Sequence, residues 1–312
     1  MGKRSIIVGS RGSKLALLQT KLVVQRLRES YHDLEFPVKR IKTSGDRDRT
    51  TSLSEIGGRG IFIKGLEEAL LSREIDMAVH SLKDVPTELG PEFKLAAVAM
   101  RIDARDALVS KSGKPLSELP QGACVGTGSQ RRAAQLKAFR PDIQIRPLRG
   151  NIDTRLSKLY SGELEGIIVA AAAMLRMGWA EKITEYLPIE LFLPSVGQGA
   201  LAVEVRALDQ ELSDLLSVVN DEPTWQSVQA ERAFLSALGG GCRAPIAALG
   251  AVTGNSLHLE GMVASSDGSR TLRAAEYGSP AEPEKIGKLL AEKLLSLGAQ
   301  ELIARKVDEG NR

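Results

Sequence analysis

The order of apolar and polar positions predicts a chain that alternates strands and helices over its first two thirds. Residues 5–9 (SIIVG) are a short apolar run of the buried-strand kind, and residues 15–27 carry apolar side chains at helical spacing. Residues 34–42 alternate like a second strand. A polar stretch with four glycines follows over 43–60 (TSGDRDRTTSLSEIGGRG), then a helical pattern over 61–71 and an apolar strand over 75–79. The rhythm restarts beyond residue 101, with a strand at 124–126, a helix at 129–139, a strand at 143–147, a helix at 153–161 and an apolar strand at 166–173. Such alternation predicts α/β architecture with parallel sheets covered on both faces. From residue 222 the pattern changes. A helix at 224–238 precedes three alternating segments, 246–252, 257–264 and 271–277, and a last helix covers 284–297. That order predicts a small antiparallel α+β domain.

Composition narrows the class. A length of 312 residues exceeds a typical domain of about 100–150, and 43% hydrophobic with 26% charged residues excludes a disordered or fibrous chain. The longest obvious apolar run, 167–175, is half of the ~18 residues a membrane span needs. The opening MGKRSIIVGS lacks the apolar stretch of a secretory signal, and two cysteines are too few for a disulfide framework. A cytoplasmic protein is expected. Lys+Arg 42 against Asp+Glu 39 leaves +3, and aromatics are 4%, so neither charge nor stacking surface marks a nucleic-acid binder.

Position is more telling than total charge. VGSRGSKLALLQ (8–19) and VGTGSQRRAAQL (125–136) repeat one plan: strand, glycine, hydroxyl residue, turn, serine, basic residue, helix. A strand running into a helix start presents unpaired N–H groups and the positive end of the helix dipole, which suits an anion. N-capping by Ser13 and Ser129 with solvated arginines is the plainer reading of each copy. Gly126 and Gly128 begin a dinucleotide fingerprint, but Arg131 fills its third glycine position, which excludes that motif. Arg11, Arg131 with Arg132, Arg149 with Arg155, and Arg176 all follow predicted strands, where parallel sheets bind ligands. Arginine there points to bidentate recognition of carboxylates or phosphates.

Two further segments carry chemistry. HSLKDVP (80–86) follows a strand and places Asp84 as a lone carboxylate among basic groups, suited to turn capping, to an ion pair with Lys83, or to proton transfer and cation stabilisation. LGGGCRAP (238–245) sets Cys242 on a three-glycine turn, open enough for a reactive or modified thiol, whereas Cys124 in its apolar strand reads as a small buried hydrophobe. His32, His80 and His258 are isolated, so no metal site is expected.

Taken in order, SRGSKLALLQ, TSGD, VHSLKDVP, RDALV, GTGSQRR, LRGNIDTRL, VGQGAL and ERAFLSALGGGCRAPI resemble the porphobilinogen deaminase (hydroxymethylbilane synthase) family of tetrapyrrole biosynthesis. The resemblance implies two periplasmic-binding-protein-like (type II) α/β domains around a cleft, residues 1–99 with 200–218 and residues 100–199. It adds a small C-terminal α+β domain with a three-stranded antiparallel sheet, residues 222–312. It implies a monomer that takes porphobilinogen as its small-molecule substrate, with no nucleic-acid or membrane partner. Four porphobilinogens would be joined with loss of ammonia onto a dipyrromethane cofactor, covalently attached to Cys242 by a thioether, and hydroxymethylbilane released by hydrolysis. Asp84 would be catalytic. Arg131, Arg132, Arg155, Lys83, Ser13, Ser81, Thr127 and Ser129 would bind the cofactor, Arg11, Arg149, Arg176 and Gln198 the substrate, and the polar loop 44–60 would be a lid. Where the family commonly reads GTSSLRR and AAAGL, this chain has Gly128, Gln130 and Ala173, and Ala202 and Val205 also differ. None of these removes a charge. A non-catalytic two-domain binder of a polycarboxylate would explain the arginines but not Asp84 or the GGGC turn. A phosphate-ligand enzyme would need a P-loop lysine or a Mg²⁺ carboxylate cluster, and neither pattern is present.

Overall fold

The computed structural model describes residues 4–42, 63–239 and 244–303. The chain divides into two compact units, Met1–Ile102 with Ala200–Trp225, and Asp103–Gly199 with Gln226–Arg312. The first unit begins with β1 (Arg4–Ser5), β2 (Val8–Arg11), α1 (Lys14–Ser30), β3 (Leu34–Glu35) and β4 (Val38–Ile41). It continues with α2 (Lys64–Leu71), β5 (Met77–Ser81) and β6 (Phe93–Ala99). The second holds β7 (Asp106–Ser110), β8 (Cys124–Gly126), α3 (Gln130–Phe139), β9 (Gln144–Arg146), α4 (Ile152–Ser161), β10 (Gly166–Ala170), α5 (Ala171–Arg176) and β11 (Glu185–Tyr186). The chain then returns to the first unit as β12 (Leu201–Arg206) and α6 (Gln210–Leu215).

Each unit is built on a five-stranded sheet, ordered β4-β2-β5-β12-β6 in the first and β9-β8-β10-β7-β11 in the second. β2 runs parallel to β4 and β5, while β12 is antiparallel to β5 and β6. β8 likewise runs parallel to β9 and β10, while β7 is antiparallel to β10 and β11. The two sheets therefore share one topology. The expectation of wholly parallel sheets is corrected at the fourth strand of each. β12 enters its sheet from beyond β11 and β7 follows β6, so neither is joined to its neighbours by the helical crossover that parallel pairing requires.

Helices cover both faces because their apolar stripes match the sheet. α1 turns Val23, Val24 and Leu27 against Val8, Met77, Val79, Val203 and Val205, and each such buried side chain contributes about 1.5–3 kcal/mol. α2 covers the opposite face with Leu66 and Leu70 against Ile75 and Ala78. In the second unit one cluster centres on Val109, Ile167 and Val169 with Leu156 and Leu159 of α4, the other on Leu108, Val125 and Ile168 with Leu136 of α3. The strand expected over 166–173 ends at Ala170; Ala171 opens α5, since a run of alanines favours helix once the ladder stops.

The C-terminal elements are α7 (Glu222–Leu238), β13 (Ile246–Thr253), β14 (Ser256–Ala264), β15 (Thr271–Gly278) and α8 (Pro283–Ser296). The antiparallel sheet β13-β14-β15 packs one face on Phe234, Leu238, Ile286, Leu290 and Leu294. Ala247, Met262 and Ala264 meet Ala134 and Leu193 of the second unit. This segment thus has its own core and also belongs to that unit.

Candidate active site

In the first unit β2 and β5 are parallel neighbours, so Arg11 and the segment after Ser81 leave the sheet at the same edge. A 3₁₀ turn, Leu82–Asp84, buries Leu82, and Val85 donates its N–H to the Leu82 carbonyl. With Leu82 and Val85 anchored inward, Lys83 is half-buried and Asp84 is exposed. Ser13 caps α1 by accepting from the Ala16 N–H at 3.2 Å. Ser81 Oγ lies 2.9 Å from the Gln19 amide nitrogen and 3.1 Å from its oxygen.

The second unit repeats the cap and adds charge. Ser129 caps α3 by accepting from the Arg132 N–H at 3.4 Å, and Thr127 Oγ1 accepts from the Ser129 N–H at 3.2 Å. Arg131 and Arg132, both buried, sit in the first turn of α3, where a cation opposes the helix dipole. Asp106, the first residue of β7 and 0% exposed, offsets both. Its Oδ2 is 2.7 Å from a terminal nitrogen of Arg131, and its Oδ1 accepts from Arg132 Nε at 2.9 Å and Nη2 at 2.7 Å. Arg131 also donates to the Leu193 carbonyl at 2.6 Å and Arg132 to the Ile168 carbonyl at 3.1 Å. Burial alone would raise the Asp106 pKa, but the charges of Arg131 and Arg132 overcome it and hold the carboxyl well below its usual range. Burial pushes the Arg131 pKa down, partly offset by Asp106.

Gln198 is 1% exposed, and its amide donates to Asp106 Oδ1 at 2.9 Å and to the Ala104 carbonyl at 2.7 Å while its oxygen accepts from Arg132 at 3.3 Å. The Gln198 amide thus braces the arginine pair from within the unit. Arg155 Nε donates to the Gly150 carbonyl at 2.8 Å, and Arg149 beside it is half-buried. Arg176 donates to the Gly199 carbonyl at 2.7 Å, and burial lowers its pKa to about 10. Because β8, β9 and β10 are parallel neighbours, Arg131 with Arg132, Arg149 with Arg155, and Arg176 all follow strand ends on one edge. Arg131 Nε and Arg176 Nε are buried and find no acceptor among the described residues.

Cys242 and the polar loop 44–60 lie outside the described residues. Cys124 is half-buried, its thiol 3.5 Å from Gln144 Oε1, which corrects the fully buried reading. Among the described residues no cluster of potential ligands could hold a metal ion, and no helix is long and apolar enough to cross a membrane. Sequence reasoning missed Asp106, although it lies in the RDALV segment, because its partners are remote in the chain. It also missed Glu231, 0% exposed on α7, which accepts from the Gly197 N–H at 2.7 Å and the Gly250 N–H at 2.8 Å.

Each unit of this α/β protein thus carries a serine-capped helix start, and the second gathers arginines at its strand ends, with the buried Arg131 Nε and Arg176 Nε lacking acceptors among the described residues. Residues 6–214 match the family model "porphobilinogen deaminase, dipyromethane cofactor binding domain", and residues 225–296 match "porphobilinogen deaminase, C-terminal domain". The chain is 50% identical over 303 residues to a porphobilinogen deaminase of Geobacillus kaustophilus, covering 97% of each chain. It is 48% identical over 301 residues to that of Carboxydothermus hydrogenoformans, covering 96% of this chain and 97% of the relative. Against that of Desulforudis audaxviator it is 46% identical over 303 residues, 97% and 98% of the two chains. The chain belongs to the porphobilinogen deaminase family.

Proposed function

We infer that the chain is a hydroxymethylbilane synthase, which joins four porphobilinogen molecules with loss of ammonia and releases the linear tetrapyrrole by hydrolysis. The observation that carries this reading at the site is the surplus of buried guanidinium over carboxylate. Arg131 and Arg132 share Asp106 alone, and Arg131 Nε and Arg176 Nε lack acceptors among the described residues. Each pyrrole of the product bears an acetate and a propionate, so a lengthening polycarboxylate supplies the missing acceptors.

The residues fit the dipyrromethane that the family model names. Its carboxylates would meet Arg131, Arg132, Arg155 and Lys83, with hydrogen bonds from Ser13, Ser81, Thr127 and Ser129, and Cys242 would hold it by a thioether. When bound, that group supplies the pyrrole α-carbon to which the first substrate is joined. Arg11, Arg149 and Arg176 would orient substrate carboxylates. Asp84, exposed on a turn whose neighbours are anchored, would set a negative charge against the pyrrolic cation that porphobilinogen becomes as ammonia departs. The same carboxylate is the base for the proton lost when the new carbon–carbon bond forms. We read residues 222–312 as a third domain carrying the cysteine, and the protein as a cytoplasmic monomer.

The test is ammonia release from porphobilinogen. Asp84→Asn should leave folding and cofactor mass intact, since the side chain is exposed, and lower kcat at least ~100-fold. Turnover at the wild-type rate would refute the role of Asp84.

A further inference from the structure

We propose that Asp106 is the positioning residue of the arginine pair, holding the Arg131 and Arg132 guanidiniums in a preset arrangement that a ligand carboxylate then meets. This rests on the reading of the site as a polycarboxylate site. Three observations carry it. The first is geometric: each oxygen of Asp106 takes one arginine, and Gln198 clamps Oδ1 while its own amide is tied to the Ala104 carbonyl.

The second comes from comparing the two sheets. Asp106 opens β7 and pairs in register with Ala170 at the end of β10; Leu201 opens β12 and pairs with Ser81 at the end of β5. Counted from the capping serines, Arg131 and Arg132 on α3 correspond to Leu15 and Ala16 on α1. One fold therefore places Leu15, Ala16 and Leu201 where the other places Arg131, Arg132 and Asp106. The architecture itself does not need the charged cluster. A buried ionic group kept where an apolar set suffices costs desolvation that packing does not return.

The third is the charge balance. Two guanidiniums against one carboxylate leave one positive charge uncompensated in a buried place, with Arg131 Nε still lacking an acceptor among the described residues. Asp106 is thus enough to fix the pair and too little to neutralise it, which leaves the site primed for one more carboxylate. Without Asp106 the adjacent guanidiniums repel, and a ligand would have to order them on binding.

The experiment removes the carboxylate and supplies it from solution. Asp106→Ala leaves room for a small anion between the two guanidiniums. Its Tm should fall by about 10 °C, as for a broken buried pair, and it should fail to acquire the covalent group seen by intact mass on the wild type. Sodium formate at tens of millimolar should raise the Tm of the variant well beyond any shift in the wild type and restore loading, whereas formamide should do neither. Loading at the wild-type level without formate, or equal effects of formate and formamide, would overturn the proposal. If the alanine variant does not accumulate folded, Asp106→Asn keeps the shape without the charge and should show the same loss of loading; wild-type loading in it would equally overturn the proposal. A wild-type chain bearing no added mass would instead count against the family chemistry, and the formate-dependent Tm would still judge Asp106.

Discussion

Arg131 and Arg132 occupy consecutive positions of one helix yet reach opposite oxygens of one carboxylate, which draws the two guanidiniums together. The linkage has a definite sign. Asp106 has a folded pKa below its unfolded value, so its stabilisation is fully present above about pH 4 and is lost as pH falls toward the folded pKa. The Tm difference between wild type and Asp106→Asn should accordingly be flat from pH 8 to 5 and narrow below pH 4. A difference that widens on acidification would contradict this assignment. Arg176 makes a parallel case, its pKa lowered to about 10 by burial while its Nε lacks an acceptor among the described residues. Arg176→Gln should raise KM roughly 10- to 100-fold with a smaller change in kcat, as loss of one charged hydrogen bond demands. An unchanged KM would remove Arg176 from the substrate contacts.

At the scale of elements, legibility followed pattern. α1, α3, α7 and α8 were visible because an apolar stripe at 3.6-residue period begins beside a cap or a proline, as at Ser13, Ser129 and Pro283. β6, β7 and β12 were not, since they are set into their sheets by remote pairing, and β12 joins a sheet whose other strands lie more than a hundred residues earlier. The same remoteness hid Asp106, whereas Asp84 and the arginines were legible because each stands in a local motif at a strand end. Close packing of α8 on α7 gives a prediction at this scale. A methyl on Gly287 would overlap the Ala230 carbonyl oxygen and lie 2.8 Å from Ala233 Cβ. Gly287→Ala should therefore destabilise by about 1–3 kcal/mol, read as a lowered Tm. A neutral substitution would show that the two helices do not approach as closely as described.

For the whole molecule, a net charge of +3 conceals a local concentration of arginine at strand ends. Attraction of a polycarboxylate to that edge is partly screened, so KM for porphobilinogen should rise between 0.05 and 0.5 M NaCl while kcat changes little. A salt-independent KM would argue that the arginines are structural. Family membership sets aside the non-catalytic binder, which shares the two-sheet plan but has no use for Asp84 or a cysteine after three glycines. The central claim is that arginine, serine and lysine side chains serve a covalently held polycarboxylate. Intact mass of freshly purified wild type beside Cys242→Ser tests it most directly. The wild type should be heavier than its bare chain by two linked pyrrole units and the variant should match its bare chain; a wild type at bare-chain mass that nonetheless turns over porphobilinogen would contradict the account.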